Sequence, residues 1–527
     1  MRKLASRLSF FSAKPLISFC YRTTPPSGSS RTSSTIQSLR RGRPFTTTPS
    51  ETKPLSLQPT MNLETYHNKE QIKVIERFFD LPLDYNDPSG EKIRVFARNL
   101  VPKNKAKTEE EEKDLPYLVY LQGGPGFEVG LMGSSGFAGE IHERGYQTLW
   151  LDPRGTGLST PISADTLPSR LKSDQDIAEY LKHFRADSIV KDCESIRQIL
   201  LGDKPKEEDK KWTIMGQSFG GFCAITYLSF HGQGLKEVFI TGGLAPLDDN
   251  PDPNYEWTVR KVISRNKIYY SKYPQDIRRV RDIASYLEGN MVVLPSGGHL
   301  TVRRFQQLGI DFGMSGGIDR VHRKFFQCVL LEIHSFTLFP ETVLRATNDL
   351  ELFGQFSYKA LQNIEHSQSF DGNPIYAILH EPLYCQGKAP RWSADRIVQK
   401  NPQFSWEHVK ELSADEPIYF TGEMIFPQMF DDYANLRPLK GAAELLAHDS
   451  SWKPLYDLQQ LAVNEVKVSA ATYFEDMYVP FELSQETAAK IQNTEQYITN
   501  QLFHSGIRED PKDVMKHLFQ LSRREFA

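Results

Sequence analysis

A chain of 527 residues exceeds what one compact core holds, since single cores stop growing near ~250–300 residues; a second domain or a large insertion is required. The composition, 39% hydrophobic, 24% charged and 11% aromatic, belongs to a folded globular protein and excludes a disordered or collagen-like chain. The net charge of −3 is uneven: residues 1–50 carry nine Lys or Arg and no acid, which leaves −12 on the remainder, and an acidic body argues against nucleic acid as the partner.

The first fifty residues, with Arg2, Lys3, Arg7, Lys14, Arg22, Arg31, Arg40, Arg41 and Arg43 among many Ser and Thr, have the composition of a transit peptide. Lys14-Pro15 interrupts the apolar run that a secretory signal needs, so the expectation is mitochondrial (matrix), with a cytoplasmic protein bearing a basic tail as the alternative. Five widely spaced cysteines without a CxxC pair fit a reducing compartment. No apolar run approaches the ~18 residues of a membrane span.

From residue 70, Ile72–Phe79 and Lys92–Val101 read as a strand pair around the turn-rich segment Asp84–Gly90. The acidic run Asn104–Asp114 reads as a solvated connection. Three strands of buried type follow, Tyr117–Leu121, Thr148–Leu151 and Trp212–Met215, with a helical pattern over Ser188–Leu201 between the last two. Strands alternating with helices predict a mostly parallel sheet covered on both faces, with ligands at the carboxyl ends of the strands. The alternation stops after Val238–Thr241. Residues 247–450 read as one mainly helical inserted cap, dividing an α/β core into 51–246 and 451–527. Regular pattern returns with Val466–Tyr473 and ends in a helix from Pro511 that Asp510 caps.

The sharpest motif is Gly216-Gln217-Ser218-Phe219-Gly220, between the strand Trp212–Met215 and a helix over Phe222–Phe230. It matches the G-x-S-x-G nucleophile elbow, in which glycines let strand and helix pass closely and the serine is lifted above the sheet. The oxyanion of acyl transfer needs backbone donors. Phe219 N–H is one candidate, and Gly123 and Gly124 in Gln122-Gly123-Gly124-Pro125-Gly126 supply the other. The acid should follow a late strand, where Asp476 stands, with Glu475 and Asp457 as alternatives. The base comes from His504 or His517. His517 falls inside the terminal helix, whereas His504 precedes Ser505-Gly506 in a loop able to deliver an imidazole, so His504 is the choice.

With these residues in place the chain resembles the prolyl aminopeptidase (proline iminopeptidase) family of the α/β-hydrolase superfamily, from about residue 70 to 525. The most specific marks are Gly123-Gly124-Pro125-Gly126, the segment Asp152–Ser159, the elbow Gly216–Gly221, and Asp476 with His504. Gln122 stands where the family usually has His, and Pro153 where members often have Gln. The resemblance implies cleavage of an N-terminal residue, preferably proline, from peptides with a free N-terminus. It also implies that glutamates of the cap hold the free amine, and Glu381 and Glu423 are the candidates for this substrate-binding role.

Two other readings stay open: an esterase or amidase for small acyl substrates without a free amine, and a catalytically silent binding module of the same fold. An epoxide hydrolase is disfavoured, since the resemblance would put Asp where Ser218 stands. No H-E-x-x-H, Cys/His cluster or G-x-x-x-x-G-K-[ST] occurs, so neither metal nor nucleotide cofactor is expected.

Overall fold

The computed structural model describes residues 60–67, 71–130, 133, 135–322 and 342–525, with only the backbone course given for 60–67. The transit-like segment and the cysteines Cys20 and Cys328 lie outside the described residues. Leu57–Ala527 forms one compact unit.

Among the described residues nine strands form one sheet: β1 (Thr60–His67), β2 (Ile72–Pro82), β3 (Lys92–Pro102), β4 (Tyr117–Leu121), β5 (Gln147–Leu151), β6 (Trp212–Gln217), β7 (Leu235–Thr241), β8 (Lys467–Tyr473) and β9 (Thr494–Thr499), in spatial order 1-2-3-5-4-6-7-8-9. β1, β2, β3 and β5 pair antiparallel in succession, and the pairs from β5 through β4, β6, β7 and β8 to β9 are parallel. The fold is thus an α/β-hydrolase core with a mostly parallel sheet and a large helical insertion. β5 and β6 are buried along their whole length, as strands covered on both faces must be. Alternate residues diverge accordingly. Val119, Leu121, Ile214 and Ile240 join the helices Ala186–Leu201 and Phe219–His231 on one face. Leu118, Tyr120, Met215 and Phe239 meet Val514, Leu518 and Phe519 of the terminal helix Pro511–Arg523 on the other.

Three elements differ from the sequence reading. The acidic run is not simply a connection: Glu109–Asp114 is a helix, opened by a capping box between Thr108 and Glu111. Its Glu112 turns inward to pair with Lys73 at 2.6 Å and with Lys103. β9 escaped the reading because its six residues, Thr494–Thr499, are mostly half-buried and carry no apolar run. β1 escaped it as well.

Between β7 and β8 the chain forms helices from Asp252–Lys272 to Leu458–Ala462. They share one apolar cluster with the sheet, and the contact is close: the Phe222 and Tyr384 rings lie 5.7 Å apart. Buried Arg185 ties the two regions further by donating to the carbonyls of Cys385 and Lys453 at 3.2 and 3.0 Å. The segment Asp152–Ser159 anchors the loop after β5. Asp152 accepts from the N–H groups of Val129 and Leu158, and Arg154, 1% exposed, forks onto Asp192 while donating to the carbonyls of Leu83, His183 and Pro82.

Candidate active site

Ser218 sits between the end of β6 and the helix Phe219–His231 at φ 56°, ψ −125°. A non-glycine residue rarely holds this conformation, and it persists only where its surroundings enforce it. Here Ser218 N–H donates to Thr241 O at 3.0 Å, and its carbonyl accepts from Gly221 N–H at 2.7 Å. The crossing is tight: a side chain on Gly220 would stand 1.9 Å from Leu121 O. Phe219 opens the helix, where the first N–H groups have no intrahelical acceptor. Gly123 is packed against the serine, its absent Cβ only 3.0 Å from Ser218 Cβ.

Asp476 lies just beyond β8 and is 1% exposed. Its Oδ1 accepts from Tyr478 and Val479 N–H at 2.8 and 3.0 Å, and its Oδ2 faces His504 Nδ1 at 2.7 Å. His504 is also buried. Burial alone would lower the imidazole's pKa, but the charge and hydrogen bond of Asp476 outweigh it and raise the ring above its ordinary value. The Tyr478 ring packs 4.7 Å from that of His504. The alternative base, His517, instead stacks on Tyr497 at 4.0 Å on the terminal helix.

Ser218 and His504 line one cavity of about 350 Å³ together with Gly123, Gly124, Tyr376 and Glu423. Glu423 accepts the Tyr376 hydroxyl through Oε1, and its Oε2 lies 3.9 Å from His380 Nε2. Burial lowers the pKa of His380, against the pull of Glu423. Gln122, which stands in place of the family's usual His, also lines this cavity, and its Oε1 is buried without a hydrogen-bond partner among the described residues.

The two glutamates singled out from the sequence are not equivalent. Glu381 does not line the cavity. It is 3% exposed and spends both oxygens on the first turn of the helix Ser393–Val398, accepting from Ser393 and Ala394 N–H at 3.0 and 2.9 Å. Burial pushes its pKa up to about 8, against the lowering pull of those two N–H groups. The expectation that Glu381 holds substrate is therefore corrected: the carboxylate satisfies orphan backbone donors instead.

Sequence reasoning missed Asp311, Tyr376, Tyr478 and Arg508, which also line the cavity. Arg508 bridges Gln217 Oε1 and the Tyr120 hydroxyl at 2.9 and 3.2 Å. Only Tyr478, two residues after Asp476, carried a positional hint. Among the described residues no group of three His, Cys, Asp or Glu is placed to hold a metal ion, and no helix is long and apolar enough to cross a membrane.

Residues 116–269 match the family described as alpha/beta hydrolase fold. The chain is similar to proline iminopeptidase aneH of Aspergillus aculeatus, 41% identical over 443 residues that cover 84% of this chain and 92% of that protein. It is similar in the same degree to the proline iminopeptidase of Aeromonas sobria, 40% identical over 447 residues that cover 85% and 96% of the two chains.

Proposed function

The chain belongs to the proline iminopeptidase family of α/β hydrolases, and from that premise we propose that it is a serine aminopeptidase releasing an N-terminal residue, preferably proline, from peptides. The observation that carries this reading is the meeting of Ser218, His504 and Glu423 in one cavity, which supplies a candidate nucleophile, its base and a carboxylate for a free ammonium.

His504 Nδ1 is taken by Asp476, which leaves Nε2 to remove the Ser218 proton as Oγ attacks the scissile carbonyl carbon. The negative oxygen that forms is met by the N–H groups of Phe219 and the Gly123-Gly124 loop, each well-placed donor contributing roughly 3–4 kcal/mol. His504 returns the proton to the leaving amine, the amide C–N bond breaks, and the acyl group remains on Ser218. Water, deprotonated by the same imidazole, then attacks the ester and frees the amino acid. Glu423 pairs with the substrate's ammonium and Tyr376 orients it. A closed pocket requires such a partner, because an unpaired buried charge is costly. The helices between β7 and β8 act as the cap that limits the site to chain ends. Residues 1–50 are read as a mitochondrial transit peptide, and retention of organelle targeting after their deletion would refute that reading.

Hydrolysis of proline arylamide, N-blocked proline arylamide and a simple arylester tests the assignment. Turnover of the free-amine substrate should exceed that of the blocked one by at least about a hundredfold, and Ser218→Ala should abolish both. Equal turnover of free and blocked substrates would instead point to an esterase or amidase.

A further inference from the structure

Among the described residues that line the Ser218 cavity, Arg508 is the one Lys or Arg, and Asp311 and Glu423 are the acids. Arg508 is exposed and lies in the short helix Gly506–Glu509, which begins just after His504 and Ser505. Its guanidinium reaches to the elbow: Nη1 donates to Gln217 Oε1 at 2.9 Å and Nη2 to the Tyr120 hydroxyl at 3.2 Å. Gln217 directly precedes the nucleophile.

Burial raises the pKa of the Tyr120 phenol, so both acceptors are uncharged. Among the described residues Arg508 forms no ion pair with a carboxylate. Asp311 stands instead 3.8 Å from Arg320, and Glu423 takes the Tyr376 hydroxyl. A guanidinium carries five N–H donors in a planar fork that fits a carboxylate. Gln217 and Tyr120 use two of them, which leaves three.

The chemistry of bond cleavage fixes what comes to this cation. His504 gives its proton to the leaving nitrogen, so the residue that departs begins at the imidazole, beside the wall that carries Ser505 and Arg508. In a dipeptide that residue ends in a carboxylate two bonds from the leaving nitrogen. In a longer peptide or a dipeptide amide, a neutral amide takes the same place.

We propose that Arg508 is a specificity-determining residue that receives the α-carboxylate of the departing amino acid, which makes free-acid dipeptides with an N-terminal proline the favoured substrates. This role rests on the aminopeptidase reading above and adds the other end of the substrate to it: Glu423 takes the ammonium and Arg508 the carboxylate. If Arg508 only braced Gln217 and Tyr120, its loss would weaken turnover of acid and amide alike.

The test compares kcat/KM for L-prolyl-L-phenylalanine and L-prolyl-L-phenylalaninamide, which share the same free amine, by chromatography of the released proline. Comparing the acid-to-amide ratio between enzymes cancels both a general loss of activity and the different basicities of the two leaving amines. The ratio should be at least about tenfold higher in wild type than in Arg508→Gln, the weight of a hydrogen bond between charged groups. Arg508→Lys should fall between them, because an ammonium keeps the charge without the fork. In wild type the ratio should also drop about threefold or more between low salt and ~1 M salt, as screening of a solvent-open ion pair requires; this decides the matter should Arg508→Gln fail to fold. Turnover of both peptides with a ratio unchanged in Arg508→Gln, or unmoved by salt in wild type, would overturn the role of Arg508 and leave the aminopeptidase reading intact. Turnover of neither peptide would overturn both.

Discussion

At the carboxyl ends of the strands the site is made by backbone: Ser218 is held at φ 56° by main-chain hydrogen bonds, and Asp476 is fixed by two N–H donors of its own turn. Among the inserted helices the two carboxylates are placed by what packing brings to them, the Tyr376 hydroxyl on Glu423 and the N–H groups of Ser393 and Ala394 on Glu381. Backbone placement follows from local sequence, because a strand, two glycines and a helix leave little choice of path. Side-chain placement depends on which helix meets which, and carboxylates of equal promise in the sequence end with opposite fates.

This contrast predicts effects of very different size and kind. In the strand half, Asp476→Asn should lower kcat about 10⁴-fold, the order seen when the orienting acid of a Ser-His-Asp system is removed. It should also move the acidic limb of the kcat/KM profile to lower pH, since Asp476 is what raises His504 above its ordinary pKa. In wild type, activity should rise as pH climbs through the His504 pKa and the imidazole becomes available as base. A pH–rate profile with the limb unmoved in the variant would break the backbone-held picture.

In the helical half, Glu423→Gln should cost about 10²-fold in kcat/KM on free-amine proline substrates and change arylester turnover less than about threefold, an asymmetry that steady-state kinetics on both substrates measures. Losing an interaction with a charged group has about this weight. Equal losses on both substrates would place Glu423 in the chemical step instead.

The smallest effect on catalysis should come from Glu381→Gln, with kcat/KM within about threefold of wild type on either substrate. Its signature is in stability. Glu381 has a folded pKa raised to about 8, so its contribution is fully present below its unfolded value of ~4.3 and is lost as pH rises through about 8. Between these limits the melting temperature of wild type should fall relative to Glu381→Gln. Parallel melting curves across that window, or a selective loss on free-amine substrates, would return Glu381 to the substrate's side.

Much of this molecule was legible from residue patterns. Seven strands of the sheet, the helix after the elbow and the Asp510-capped terminal helix could be read because hydrophobic period, glycine crossing and capping are local signals. Glu109–Asp114 could not be read so easily, since a run of glutamates looks like a solvated loop until Lys73 on β2 arrives to pair with Glu112. The strand β9 was hidden for a related reason, as its pairing with β8 rather than its own composition makes it a strand.

Length was the first clue, and it retains its meaning: the helices between β7 and β8 take up much of the excess over one core. By itself the sequence determined the fold class and pointed to Ser218, Asp476 and His504, because each sits on backbone geometry encoded within a few neighbouring residues. Only the tertiary structure decided that Glu423 lines the Ser218 cavity while Glu381 caps a helix. A buried carboxylate goes wherever donors satisfy it, and those donors, Tyr376 for one and the N–H groups of Ser393 and Ala394 for the other, are brought near by packing that no local pattern records.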